Sequence, residues 1–365
     1  MEIGSRVAEA RAERGVTQMQ LAAAIGMDRT ALAKIESGSR RVSAVELVAI
    51  ARELGRRVEW FVDEAPPALA SYRGARPEAA TQTIDTELDS LVRDTEFVTS
   101  QCPELVGGQP EPLPHPGTAE EAEDLAASAR RLLGLDPGEP AHDITRLAAD
   151  AGLLIFAADL GEGADAATVL LKRGGVALVN GHRRVGRRRL AAAHELGHYL
   201  IADPFTLDWR VTAAEHQGLE ARLDRFARAV LLPARDLRTR WTQWMSISDE
   251  TWRDAAVRAA SHYGVDMATL ARRLVETGLA EGVRADEIRR VQTKQADIVE
   301  KNLVVRDEMA PVSLPRPYAR AVLTLYRREV VTADRALGLL RGTFDRNSLP
   351  DLPPAPEAEI WEVTS

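Results

Sequence analysis

Cysteine, long apolar runs and aromatic side chains are all scarce in this chain of 365 residues. A single cysteine, Cys102, excludes an internal disulfide and a cysteine-rich zinc site. No run of about 18 apolar residues occurs, so we expect no transmembrane helix, and the first 15 residues lack the apolar segment of a secretory signal. Aromatic residues make up only 5% of the chain, too few for a protein that stacks single-stranded bases. Together these absences predict a cytoplasmic protein.

Positive charge is also in deficit, with a formal net charge of −8, which disfavours bulk affinity for nucleic acids. The distribution is uneven, because residues 1–62 carry a net charge of +2 and residues 63–125 a net charge of −11. Eight of the 19 prolines lie in that acidic stretch. We therefore expect an acidic, proline-rich linker over residues 66–119. One helix is predicted inside it, over Thr83–Thr99, whose apolar stripe would pack on a neighbouring element or on a dimer mate.

Residues 1–65 carry the pattern of about five short helices. Thr17 and Ser43 are good N-cap residues, and Gly15 and Gly26 follow apolar helical segments at the points where those segments should end. Two short helices joined by a turn with glycine predict a helix-turn-helix unit with its own small apolar core.

The segment TQMQLAAAIGMDRTALAKIESGSR, residues 17–40, resembles the helix-turn-helix of the Cro/phage-repressor (XRE) family. The matching residues are Thr17-Gln18, Leu21-Ala22, Gly26, Ile35-Glu36 and Gly38. The resemblance implies that the third helix enters the major groove of operator DNA, with Arg29, Thr30 and Lys34 at base edges. It implies phosphate contacts from Gln18, Ser37, Arg40 and Arg41. A homodimer is expected, since a second copy would double the DNA contacts; the alternative is a helical bundle that binds protein.

The segment RRRLAAAHELGHYLI, Arg187–Ile201, contains the most specific pattern in the chain. It is rich in helix formers, and on a helix His194 and His198 project from one face about one turn apart. Two imidazoles at this spacing can bind one Zn²⁺, and Glu195 between them can act as the general base of a hydrolase.

A third zinc ligand is expected on a second helix. Glu220 lies 22 residues after His198 and suits this role, and Asp224 lies one helical turn further on, where it can accept a hydrogen bond from a ligand histidine. His216 remains the rival third ligand. The apolar run Val176–Asn180 predicts a strand before the metal-binding helix, and we interpret it as an edge strand on which a peptide substrate could pair.

The sequence GGVALVNGHRRVGRRRLAAAHELGHYLI, followed by EARLDRFARAVLLP, resembles the ImmA/IrrE family of zinc metallopeptidases over about residues 120–280. The resemblance implies a zincin-like α+β fold, zinc ligation by His194, His198 and Glu220, and Glu195 as the general base. Such peptidases often cleave helix-turn-helix repressors, whereas in this chain the DNA-binding domain is fused to the peptidase. The substrate is therefore open: the chain itself, a separate repressor, or none.

Two further regions carry weaker signals. An oxyanion donor besides zinc is expected in a peptidase, and Tyr199, His262 and Tyr263 are candidates by residue type, although packing or surface roles fit them as well. Residues 281–365 contain helical patterns that would serve either protein interaction or dimerisation, or a cap on the peptidase domain.

The sequence thus predicts an α+β, mostly α protein: an N-terminal five-helix domain (1–65), a linker (66–119), a zincin-like domain with a small β-sheet (120–280), and a helical C-terminal region and tail (281–365). The first functional hypothesis is a DNA-binding regulator whose zinc metalloendopeptidase domain cleaves a regulatory protein in a stress or mobile-element response. The second is a repressor whose zinc domain performs no proteolysis. The third is an antitoxin-like protein that neutralises a toxin partner and represses its own operon. None of the three involves a membrane.

Overall fold

The computed structural model describes residues 3–54, 58, 61, 70–73, 78–105, 110–162, 165–202 and 213–352. The chain divides into two compact units, Met1–Pro67 and Ala68–Ser365. Within the described residues, no helix combines the length and the apolar character that crossing a bilayer requires.

The amino-terminal unit is built from helices α1 (Ile3–Glu13), α2 (Gln18–Ala24), α3 (Arg29–Glu36) and α4 (Ala44–Glu53). Thr17 and Ser43 each form a capping box, which satisfies backbone N–H groups at the start of α2 and α4. Gly26 makes the turn between α2 and α3 with a φ of +68°. No bounds were expected for a fifth helix; of residues 55–62, which follow α4, only Val58 and Phe61 are described, and the Phe61 side chain is buried in the core of this unit.

The second unit is mostly helical. Its helices are α5 (Glu78–Gln101), α6 (Ala119–Leu132), α7 (Ile144–Asp150), α8 (Val185–Leu200), α9 (Ala213–Leu231), α10 (Ala234–Met245), α11 (Trp252–Tyr263), α12 (Met267–Glu276), α13 (Gly282–Arg289), α14 (Gln295–Glu300), α15 (Arg316–Arg327) and α16 (Ala333–Leu339), with short 3₁₀ helices at Pro103–Leu105 and Arg346–Ser348. Together with the sheet, they confirm the predicted α+β, mostly α fold class.

A small sheet lies among these helices and contains β1 (Ala70–Arg73), β2 (Leu153–Ala158), β3 (Ala166–Leu170) and β4 (Gly175–Asn180) in the order β1-β3-β4-β2. β1 and β4 both run antiparallel to β3, and β2 runs parallel to β4. The strand predicted at Val176–Asn180 is β4, but its interpretation as an edge strand is wrong. It pairs on both sides, and all six of its residues are buried, because helices cover both faces of the sheet.

The two faces of the sheet belong to two different apolar cores. Along β2, Leu153, Ile155 and Ala157 point into a large core that contains α8 and α9, whereas Leu154 and Phe156 point into a second core on the opposite face. This alternation explains why the strands read as continuous apolar runs rather than as alternating patterns.

Helix α5 lies within the stretch that was interpreted as a linker, and it covers the second face of the sheet. Its apolar stripe, including Ile84, Leu88 and Leu91, packs in the same core as β4. Of the two expectations for this helix, the structure therefore shows packing on a neighbouring element. Burial of this stripe offsets the acidic, proline-rich composition that suggested a chain without a core.

The C-terminal helices α15 and α16 complete the same face. Tyr318 on α15 contacts Phe156 of β2 edge to face, with ring centroids 5.0 Å apart. Val322 and Leu339 are fully buried beside them. These helices thus form a cap on the sheet, which was one of the two uses predicted for the C-terminal region.

Candidate metal centre

Helix α8 holds His194, Glu195 and His198 in the interior of the second unit. Every residue of α8 from Arg188 to Leu200 is buried. The two histidines face each other across one helical turn, with ring centroids 4.9 Å apart and 3.1 Å between their Nε2 atoms. The helix is fixed at its start by ion pairs from the buried Arg188 to Asp307 and from the buried Arg189 to Glu308.

Helix α9 brings a carboxylate to the same point. Glu220 Oε2 lies 3.1 Å from His194 Nε2, and Glu220 Oε1 lies 3.3 Å from His198 Nε2. Gly197 makes this approach possible, since a Cβ atom at this position would lie 2.9 Å from the ring of Phe226 on α9. His216 also lies within α9, but its side chain is outside the described part of the chain.

Asp224 lies one turn after Glu220 and contacts the other nitrogen of the first histidine. Its carboxylate accepts a hydrogen bond from His194 Nδ1 at 3.0 Å. A carboxylate has only acceptor atoms, so this bond places the proton of neutral His194 on Nδ1 and leaves a lone pair on Nε2.

The ligand atoms therefore face one another with an excess of acceptors. The lone pair of His194 Nε2 points at a carboxylate oxygen 3.1 Å away, an arrangement that is repulsive unless a cation or an additional proton lies between them. One atom from each of His194, His198 and Glu220 forms a set within 4.8 Å of one another. Two imidazoles and one carboxylate are a common ligand set of catalytic zinc, so the residues present fit this metal.

The environment gives the two glutamates opposite protonation tendencies. Burial alone would raise the pKa of Glu220, but the adjacent imidazoles of His194 and His198 outweigh it and hold this pKa well below its usual range. Burial raises the pKa of Glu195, against the lowering effect of the nearby histidines and of a hydroxyl donor. Glu220 is therefore favoured as an anionic ligand, and Glu195 as a group that can take up a proton.

The hydroxyl donor to Glu195 is Thr168, on β3. It is buried, and its Oγ1 donates to Glu195 Oε2 at 2.7 Å. Within the described residues, Glu195 Oε1 has no hydrogen-bond partner, which leaves one oxygen of the carboxylate available to another group. Sequence reasoning missed Thr168, because only the position of β3 across α8 connects it to Glu195.

The three residues proposed as oxyanion donors are engaged in other contacts. Tyr199 donates to the carbonyl of Ala151 at 3.0 Å, and burial raises its pKa to about 12. Tyr263 donates to Asp236 at 2.7 Å. The ring of His262 packs edge to face between Tyr263 and Trp244. These contacts favour the packing roles that were considered for them.

In the amino-terminal unit, the residues expected at base edges lie on one side of α3. Arg29, Thr30 and Lys34 are exposed, whereas Leu32 and Ile35 of the same helix are buried. The helix thus buries its apolar face in the unit and presents its polar face to solvent.

The residues expected at phosphates lie around the ends of these helices. Ser37 and Arg41 are exposed, and Arg40 pairs with Glu46 at 2.7 Å across a partly exposed surface. Gln18 differs from the others, because its amide donates to Glu36 at 2.8 Å. Glu36 also accepts two bonds from Arg11, so Gln18 belongs to a polar cluster that ties α1, α2 and α3 together.

Comparison with known families agrees with both resemblances. A helix-turn-helix family matches residues 7–61, and the IrrE N-terminal-like domain matches residues 148–275, a range that contains His194, Glu195, His198 and Glu220. No curated protein matches the chain. The chain is therefore a fusion of an amino-terminal helix-turn-helix domain with a domain of the IrrE N-terminal-like family.

Proposed function

We propose that the protein is a transcriptional regulator that binds operator DNA as a homodimer and carries a zinc metallopeptidase domain that cleaves a regulatory protein, either a repressor or a copy of itself. The observation that carries the peptidase assignment is the convergence of His194, His198 and Glu220 on one point, next to Glu195. A site with a purely structural metal has no need of a buried, proton-accepting carboxylate beside it.

The roles of the residues follow from their contacts. His194, His198 and Glu220 would hold the metal, and Asp224 fixes the tautomer and the orientation of His194. When bound, zinc supplies a Lewis acid for amide hydrolysis. Glu195 accepts the proton of the attacking water and delivers it to the amine of the leaving group, while Thr168 holds its other carboxylate oxygen.

The metal content is the first test. We expect about one zinc per chain, as for a single set of three ligands, and loss of this zinc in Glu220→Ala. Elemental analysis of the purified full chain measures it, with His216→Ala as the matched control. Full zinc in Glu220→Ala together with loss in His216→Ala would assign the third ligand to His216.

Proteolysis is tested with Glu195→Gln, which keeps nearly the same volume but cannot accept a proton. This variant should retain zinc and operator binding while cleavage of the regulatory protein falls at least about 100-fold, the lower end for removal of a general base. It should also trap its uncleaved substrate in a pull-down. His194→Ala is a poorer probe, because loss of the metal can disturb the whole domain.

A reporter for the regulated promoter separates this proposal from its alternatives. If the domain cleaves the regulatory protein, the promoter is not induced in cells that carry Glu195→Gln. Equal induction in wild type and Glu195→Gln, with zinc present in both, would reject proteolysis in favour of a repressor with a non-proteolytic zinc domain or an antitoxin-like protein.

A further inference from the structure

Strand β3 contacts Glu195 directly. Thr168 in the middle of β3 donates to the Glu195 carboxylate, and β3 itself packs against α8. One edge of β3 pairs with β4, so its other edge is the place where one more strand can lie beside the site.

β1 occupies that place. It pairs antiparallel with β3 over four residues, with Ser71 opposite Thr168, and it also contacts α8. A segment of the chain itself is therefore in register with the residue that holds the proposed general base.

An extended peptide that pairs with a sheet edge uses the same backbone groups as a native strand. Since β4 holds the opposite edge of β3, β1 and an incoming peptide would compete for one row of N–H and C=O groups. The exchange costs little, because the hydrogen bonds lost by four residues of β1 are replaced by those of the peptide.

We propose that Ala70–Arg73 occupies the position of a substrate peptide on the edge of β3. It blocks this edge until an extended segment of the regulatory protein displaces β1. This inference rests on the proposed peptidase function. In the resting protein, β1 occupies the edge of β3 on which a substrate peptide would pair. The rate of peptide cleavage then depends on how readily β1 dissociates from β3.

Proline substitutions in the full chain test the proposal. In an antiparallel pair, successive residues direct their N–H groups alternately toward the partner strand and away from it. One of Ser71 and Tyr72 must therefore donate to β3, and the other supplies a matched control. Proline at the donating position removes this bond.

The activity probe is a library of unstructured peptides whose cleavage is read by mass spectrometry. One of the two proline variants should cleave about 2- to 10-fold faster than wild type, the factor that one backbone hydrogen bond contributes, while the other stays near the wild-type rate. Equal rates in wild type and both variants, with cleavage present, would overturn the inference and leave the proposed function intact. Zinc-loaded protein that cleaves no peptide in any of the three forms would overturn both.

Hydrogen exchange gives a readout that does not depend on turnover. When Glu195→Gln is saturated with the same peptide library, the amide of β1 that bonds β3 should lose protection while the β3 amides stay protected. Protection that stays unchanged in β1 despite peptide binding would show that peptides bind elsewhere, and it would refute the competition.

Discussion

Asp224 offers a quantitative test of how a residue that is not itself a ligand affects zinc affinity at the proposed site. Its carboxylate lies 3.0 Å from His194 Nδ1. A charge-assisted hydrogen bond of this kind contributes about 1.5–3 kcal/mol when it is shielded from water. The Asp224 side chain is 38% exposed, so water partly replaces it when it is removed. We therefore expect Asp224→Ala to weaken zinc binding by about 10-fold, the lower end for loss of such a partner, or about 1.4 kcal/mol.

The conservative change gives an intermediate value. Asp224→Asn keeps an acceptor oxygen but loses the negative charge, which halves the bond energy and predicts a loss of about threefold. Asp286→Ala removes an exposed carboxylate on α13 and should leave zinc affinity unchanged.

Competition with a chromogenic zinc chelator, on the full chain at constant pH and salt, measures all three variants. Wild-type zinc affinity in Asp224→Ala would refute a role of this carboxylate in orienting His194. Complete loss of zinc would also refute it, because Asp224 would then be a ligand itself.

Two further predictions concern the DNA-binding unit and the packing of α8. Arg29→Ala should cost about 1–3 kcal/mol of operator binding and relax specificity at one base pair, whereas Arg40→Ala should weaken all sequences alike; gel shifts on operator and random DNA would show equal losses for Arg29→Ala if it touches only phosphate. Gly186→Ala would place a Cβ atom 2.3 Å from the backbone nitrogen of Asp266 and should destabilise the second unit by about 1–3 kcal/mol, while Gly282→Ala meets no atom within 4 Å. Urea unfolding compares the two alanine variants, and equal midpoints would contradict the predicted clash.

Local patterns predicted the parts of the site that lie on single helices. The four-residue spacing of His194 and His198, and that of Glu220 and Asp224, places each pair on one helix face, and the structure brings the two faces together. The contact of Thr168 with Glu195 lay beyond these patterns, because it joins two elements through the tertiary fold.

Strand order was equally hidden in the sequence. An apolar run such as Val176–Asn180 indicates a buried strand but not whether it is central or at an edge. The strand Ala70–Arg73 is only four residues long, too short for a specific pattern, and lies in a stretch whose composition indicated a spacer. The helical spacing of its apolar residues did predict α5, but it left open whether the apolar stripe packs on a neighbouring element or on a dimer mate.

The second core of the sheet limits how the protein can be divided. The range that matches the IrrE N-terminal-like domain, residues 148–275, contains β2, β3 and β4 but omits α5, α15 and α16, which bury Phe156, Val169 and Leu178. A fragment cut to that range would expose a continuous apolar face to water and invite aggregation. Recombinant fragments of the second unit should therefore begin before Glu78 and extend beyond Leu340, so that α5, α15 and α16 remain packed on the sheet.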